Sequence, residues 1–135
     1  MYKHVLVPVL LEPERDTSGA LEVARLLADD GARITLLHVV ETIPLHAQSY
    51  LPADFATERR VALKAELAEM AKAVPGGVGE VTDGHASRGI LDWAEVNKPD
   101  CIVIASHQPG MQDLLLGSTA AKVVRHATCA VHVIR

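Results

Sequence analysis

Short, uninterrupted apolar runs alternate along this chain with longer segments whose apolar residues return every three or four positions. The first run, Val5-Leu6-Val7-Pro8-Val9-Leu10-Leu11, is continuous and rich in β-branched residues, which predicts a strand buried on both faces. Pro8 lacks an N–H, so an irregularity or a missing ladder bond is expected near the strand's C-terminal end. Asp16, Thr17 or Ser18 can cap a helix that carries Leu21, Ala24, Leu27 and Ala28 on one stripe. Gly31 is expected just past that helix, in the left-handed position where helices commonly end. Ile34–Val40 is a second buried strand, and Glu41–Asp54, with two prolines and little periodicity, reads as a loop.

From about Phe55 to Val74, Leu63, Leu67, Met70 and Val74 recur at helical spacing between charges, and Pro75-Gly76-Gly77 stops the helix. Val78–Thr82 is a shorter strand. Asp83-Gly84-His85-Ala86-Ser87 is a turn able to cap the next helix, which buries Ile90, Leu91 and Ala94 with Trp93 packed beside them and stops at Asn97-Lys98-Pro99. Ile102–Ala105 is a strand, a helix opens after Gly117 and closes near His126, and Val131–Ile134 is the last strand. Five strands alternating with four helices imply parallel strands joined by right-handed crossovers. The fold class expected is therefore α/β: an open five-stranded parallel sheet, Rossmann-like, with helices on both faces, in a single domain over residues 1–135. Ligands bind such sheets at the C-terminal ends of the strands where the winding reverses. The first strand and Ile102–Ala105 are the expected flanks of that point, with Leu10–Asp16 and Ser106–Gly117 facing each other.

Composition narrows the classes. Apolar residues make up 49% and charged residues 22% of the 135, so one globular core is affordable, and with 3% aromatics it is aliphatic. The net charge of −4 and the lack of a Lys/Arg cluster beyond Arg59-Arg60 argue against nucleic acid as a partner. No apolar run approaches the roughly 20 residues of a membrane span, and the N-terminus has no signal-peptide layout, so a cytoplasmic location is expected. Cys101 and Cys129 each open an apolar run and read as reduced thiols acting as small hydrophobes. Neither they nor His46, His85, His126 and His132 show metal-ligand spacing. His38, near the end of a buried strand, reads as a hydrogen-bonded core histidine.

The stretch Cys101–Arg135 carries the chemistry. A strand, a polar loop and Gly117-Ser118-Thr119 opening a helix make an anion-binding arrangement, because the first helical N–H groups and the helix dipole point into the loop. A plain helix cap without ligand is the alternative reading of Gly117-Ser118. Two other families with this layout fail on the residues after the first strand. Receiver domains need acidic residues there, and flavodoxins need a hydroxyl-rich phosphate loop where this chain has Glu12-Pro13-Glu14-Arg15.

Along essentially its whole length the chain resembles the universal stress protein family. The resemblance rests on His4-Val5-Leu6-Val7-Pro8-Val9, Leu36-Leu37-His38-Val39, Gly84 before Ile90-Leu91, and Asp100 through His107. Leu115-Leu116-Gly117-Ser118 and Val124 through Val131 complete it. It implies an adenine-nucleotide alpha hydrolase-like fold, a homodimer paired through the C-terminal edge strand, a role in the stress response, and binding of ATP or AMP, with Mg²⁺ as an accompanying ion. Carried over by position, Pro8, Val9 and Leu10 flank the base, and Val39, Ile104 and Ala105 line the adenine slot. Ser106 and His107 approach ribose or α-phosphate, and Gly117, Ser118 and Thr119 hold the phosphates.

Two departures bear on that site. Nucleotide-binding members carry a Gly-x-x-Gly pair after the fourth strand, where this chain has Ala105 and Gln108, and the loop onward to Gly117 is shorter by one residue. Pro109 restricts Gln108 to extended geometry, with Gly110 close behind. Binding members also carry Asp where this chain has Leu10, which costs one polar anchor to the base or sugar, about 1 kcal/mol. Glu12 and Asp16 are candidates to reach the same space. The sequence shows no nucleophile–base pair and no P-loop lysine, so slow ATP hydrolysis is the minor enzymatic reading. A stress-protein interaction module without nucleotide is the rival class.

Overall fold

The computed structural model describes residues 1–11, 17–41, 44–106 and 116–135. In chain order they form β1 (Tyr2–Pro8), α1 (Ser18–Leu27), β2 (Ala28–Val40), α2 (Leu45–Gln48), α3 (Phe55–Ala71), β3 (Gly77–Asp83), α4 (Ala86–Asn97), β4 (Cys101–Ala105), α5 (Ser118–His126) and β5 (Ala130–Ile134). All five strands run parallel in the order β3-β2-β1-β4-β5. The winding reverses between β1 and β4, the pair that the sequence singles out.

The sheet buries both faces, as continuous apolar strands require. Successive residues of β1 alternate between two cores. Val5, Val7 and Val9 pack with Ala20, Leu21 and Ala24 of α1 and with Leu67 and Ala71 of α3. Leu6 packs on the other side with Leu37, Val39, Ile102 and Ile104, beneath Ile90 of α4 and Ala120 and Val123 of α5. Deleting a side chain from such a site, as in Leu6→Ala, costs about 2–5 kcal/mol. Pro8 sits at the last β1 position, paired with Leu37, and the ladder continues past it through Val9 N–H to the Leu37 carbonyl at 2.8 Å. The missing N–H therefore falls where the strand is already ending.

Three local expectations need correction. Gly31 does not end α1: the helix stops at Leu27 with Ala28 already extended, and Gly31, at φ +78°, lies inside β2. The early start of β2 lets Ala28 pair with Tyr2, and the register then shifts before His4 pairs with Arg33. The left-handed glycine sits within that irregular stretch. The segment expected as a loop contains one helical turn, α2. The helix expected to reach Val74 ends at Ala71, and Val74 follows it as a buried residue. The left-handed end that Gly31 was to supply appears after α4, where Lys98 adopts φ 54°.

The N-terminal end of the sheet is tied by polar contacts. The Asp100 carboxylate accepts the Lys3 and His4 N–H groups, each at 2.9 Å, and the Asp100 N–H returns to the His4 carbonyl at 3.0 Å. His4 Nε2 shares a 2.9 Å hydrogen bond with Thr35 Oγ1, and its ring meets Trp93 edge-on at 5.7 Å. Burial, then Arg33, lowers the His4 pKa against the opposing pull of Asp100. For Asp100, desolvation pushes upward, but the N–H donors of Lys3 and His4 win and hold the carboxyl below its ordinary value. Trp93 is a packing residue, as its helical spacing suggests.

Candidate functional site

The opposite end of the sheet holds a cleft. Its space open to the centres of water molecules is about 120 Å³, and it is lined by Pro8, Val9, Leu10, Thr17, Ala20, Leu37, Val39, Ala86, Ile90, Ile104, Ala105, Ser106, Gly117, Ser118 and Thr119. Ten of the eleven positions carried over from the sequence are in that set, and the eleventh, His107, lies outside the described residues. Gln108, Pro109, Gly110, Glu12 and Asp16 also lie outside them.

The arrangement follows from the topology. In a parallel sheet every crossover helix starts at the C-terminal end of a strand, so helix N-termini gather there. Thr17 is the N-cap of α1, Ala86 the first residue of α4, and Gly117 the N-cap of α5, and all three line the cleft. In α5 the first intrahelical bond is donated by Ala121 to the Gly117 carbonyl at 2.9 Å, so the N–H groups of Ser118, Thr119 and Ala120 precede the helical ladder. Neither Thr17 nor Gly117 uses a side chain to cap its helix. The positive dipole ends of three helices thus border one concave space.

The floor and walls are apolar. Leu37, Val39, Ile90 and Ile104 are buried, and Leu10 stands 37% exposed at the mouth. Val9 is fixed from two sides: its N–H donates to the Leu37 carbonyl, and His38 Nδ1–H donates to the Val9 carbonyl at 2.9 Å. His38 is therefore the hydrogen-bonded core histidine expected, and it positions the chain from which Leu10 projects. Gly89 brings α4 close to the floor; a Cβ there would meet Val39 Cγ1 at 2.7 Å. Ala105 closes β4 without a positive φ, so replacing the family's first glycine costs no strain.

Ser106 lines the cleft and is also held from behind. It is only 6% exposed, its N–H donates to the Ile134 carbonyl at 2.8 Å, and its hydroxyl donates to the same oxygen at 3.3 Å. Its side chain anchors the base of the loop to the end of β5. Gly117 lies against it, since a Cβ at 117 would be 3.2 Å from the Ser106 carbonyl oxygen. Thr17, Ala20, Leu37, Ala86 and Ile90 are lining residues that the sequence reading missed. The amphipathic pattern marked Ile90 as buried and left Ala20 out, and it could not say that the ends of their helices border the cleft.

A larger space, about 610 Å³, opens between β2, α2 and the start of α3, lined in part by Val40, Leu51, Phe55, Arg59, Arg60 and Asp83. Its Arg60 is already spent on the Asp83 carboxylate, both oxygens at 2.9 Å, and on the Val81 carbonyl. It also lies away from the β1/β4 reversal, so size alone does not make it the functional site. Among the described residues no group of three or more His, Cys, Asp or Glu is placed to hold a metal, and no helix is long and apolar enough to cross a membrane. Both cysteines are free; Cys101 is buried and its thiol is pushed up to about 11, chiefly by desolvation.

Comparison with known proteins agrees with this architecture. Universal stress protein G of Shigella flexneri is 32% identical over 145 aligned positions that cover 100% of both chains. The solved structure of universal stress protein UspA from Lactobacillus plantarum is 27% identical with a TM-score of 0.72, covering 99% of this chain and 98% of that one. A universal stress protein family structure from Arabidopsis thaliana, with AMP bound, is 23% identical with a TM-score of 0.63, over 98% and 90% of the two chains. The universal stress protein family pattern itself spans residues 1–135, and this chain belongs to that family.

Proposed function

We propose that the chain binds an adenine nucleotide, AMP or ATP, in the cleft at the β1/β4 reversal and acts in the stress response as a cytoplasmic homodimer. The observation that carries the reading is convergence: ten positions chosen from sequence meet in one cleft bordered by three helix N-termini. An apolar slot between Val39 and Ile104 suits a flat base, and the free N–H groups of Ser118 and Thr119 suit phosphate oxygens. The AMP in the Arabidopsis relative supports the ligand class. No Asp or Glu lines the cleft among the described residues, so Mg²⁺ arriving with ATP would keep to phosphate oxygens, water and the hydroxyls of Ser118 and Thr119.

Leu10 favours the second reading, an interaction module that binds no nucleotide, because it presents an apolar surface where an acceptor would hold the base or sugar. Calorimetric titration with AMP, ATP and ATP–Mg²⁺ separates the two. Saturable binding weakened by Gly117→Val supports the nucleotide reading, and no heat at millimolar nucleotide overturns it. ATP turnover abolished by Ser118→Ala would promote slow hydrolysis. The dimer is expected to pair through β5, an edge strand of the sheet.

A further inference from the structure

The cavity of about 610 Å³ owes its existence to how α3 meets the sheet. The helix runs Phe55–Ala71, yet its buried residues are Leu67 and Ala71, both near its C-terminus. No core side chain draws its earlier turns down onto the strands. Arg60 stands there as a strut instead. One guanidinium nitrogen reaches both Asp83 oxygens and the other reaches the Val81 carbonyl, each at 2.9 Å, tying α3 to the edge strand β3. On the sheet side, Val40 closes β2 opposite Asp83, and its carbonyl accepts the Gly84 N–H at 2.9 Å. Val39 lies in the α4/α5 core and lines the nucleotide cleft, so Val40, the next residue, faces the other side. The two cavities therefore share the end of β2 but lie on opposite faces of the sheet.

The chain leading into α3 makes the side wall. Leu51 N–H donates to the Gln48 carbonyl at 3.2 Å and Phe55 N–H to the Pro52 carbonyl at 3.1 Å, two successive tight turns. Tyr50, Pro52, Ala53 and Asp54 are exposed, while Leu51 and Phe55 among them are half-buried and line the cavity. Arg59 also lines it, one helical turn after Phe55 on the same face of α3. Among the described residues Arg59 has no ion pair, hydrogen bond or ring contact, in contrast to Arg60.

The charges in this cavity select a ligand. Arg60 and Asp83 cancel, which leaves Arg59 and the equally unpaired Glu41. A guanidinium presents parallel N–H donors that match a carboxylate. Glu41 lines the same space and repels a second negative charge, so a monoanion suits it better than a phosphate dianion. Phe55 and Leu51 offer apolar surface to a ring or a branched chain, and the volume lies within the roughly 300–1,000 Å³ of small-molecule sites. We propose that this cavity is a second ligand site, which takes a small organic monocarboxylate with an aromatic or branched apolar body. The carboxylate sits on Arg59 and the body lies against Phe55 and Leu51. The proposal does not depend on the nucleotide reading.

Titration of the ¹⁵N-labelled full chain with phenylacetate, followed by the backbone amide shifts, tests it. Saturable shifts are expected at Leu51, Phe55 and Thr57, with a dissociation constant of about 1–10 mM for a ligand this small. The neutral isostere phenylacetamide should bind about tenfold more weakly, and Arg59→Gln should weaken phenylacetate by about the same factor. Because Arg59 is exposed and unpartnered, that variant should melt with the wild type. Glu41→Gln should tighten phenylacetate about twofold. Saturating AMP should leave these shifts in place. Equal binding of phenylacetamide, or an unchanged affinity in Arg59→Gln, would overturn the proposal. So would no saturation at tens of millimolar phenylacetate, or its displacement by AMP with shifts at Val9, Ile104 and Ser118. A chain that binds phenylacetate but not AMP would overturn the nucleotide reading and leave this site standing.

Discussion

The two ends of the sheet are built for different work. At the N-terminal end Asp100, Lys3, His4, Thr35 and Trp93 satisfy one another, and nothing in that arrangement waits for a partner. At the C-terminal end three helices begin around an apolar cleft, and the N–H groups of Ser118 and Thr119 precede any helical bond. The same parallel topology produces both ends. Among the described residues, polar side chains close one, and small or apolar residues line the other. Stability and binding should therefore separate: substitutions at the tied end change the first, and substitutions at the open end change the second.

The largest departure from that rule is expected where core and cleft share atoms. Gly89→Ala drives a Cβ into Val39, so it should cost about 1–3 kcal/mol of stability, as overpacking does, and abolish nucleotide binding as well. Denaturant melts and a titration on the same variant check both. Next, Asp100→Asn should cost about 1 kcal/mol and leave nucleotide affinity unchanged. It should also flatten part of the acid limb of the stability curve. The Asp100 pKa is lowered on folding, so its contribution is full above its unfolded value and is lost as pH falls through the lower folded one. His4, also lowered, acts the same way from just under its ordinary 6.5 downward.

At the open end the effects are smaller and fall on affinity. Leu10→Asp restores an acceptor at the cleft mouth and should tighten AMP about fivefold, with the melting temperature of the free protein unchanged. Ser118→Ala should weaken AMP only about twofold, since the N–H groups of the helix start remain. If Leu10→Asp instead weakens binding, the base does not lie beside position 10.

The strands, their parallel order and the reversal between β1 and β4 are legible because buried parallel strands must be continuously apolar, and few other patterns mimic that. The cleft positions came through resemblance, which transfers strand ends and Gly117-Ser118 well because backbone geometry fixes them. Thr17 and Ala86 escaped notice, since a helix start says nothing about which cavity it borders until the crossovers are folded. Gly31 misled because a left-handed glycine serves a strand irregularity as readily as a helix end. The partner of the Ser106 hydroxyl, the Ile134 carbonyl, was not legible because it lies 28 residues away in sequence.

The central claim is that the open end takes an adenine nucleotide, and thermal unfolding with increasing AMP tests it most directly. At ten times its dissociation constant a ligand bound only to the folded state adds about 1.4 kcal/mol, a rise of about 5 °C for a domain of this size. The account predicts such a saturable rise, larger in Leu10→Asp and lost in Gly117→Val. An unmoved melting temperature in both the wild type and Leu10→Asp at millimolar AMP would contradict it.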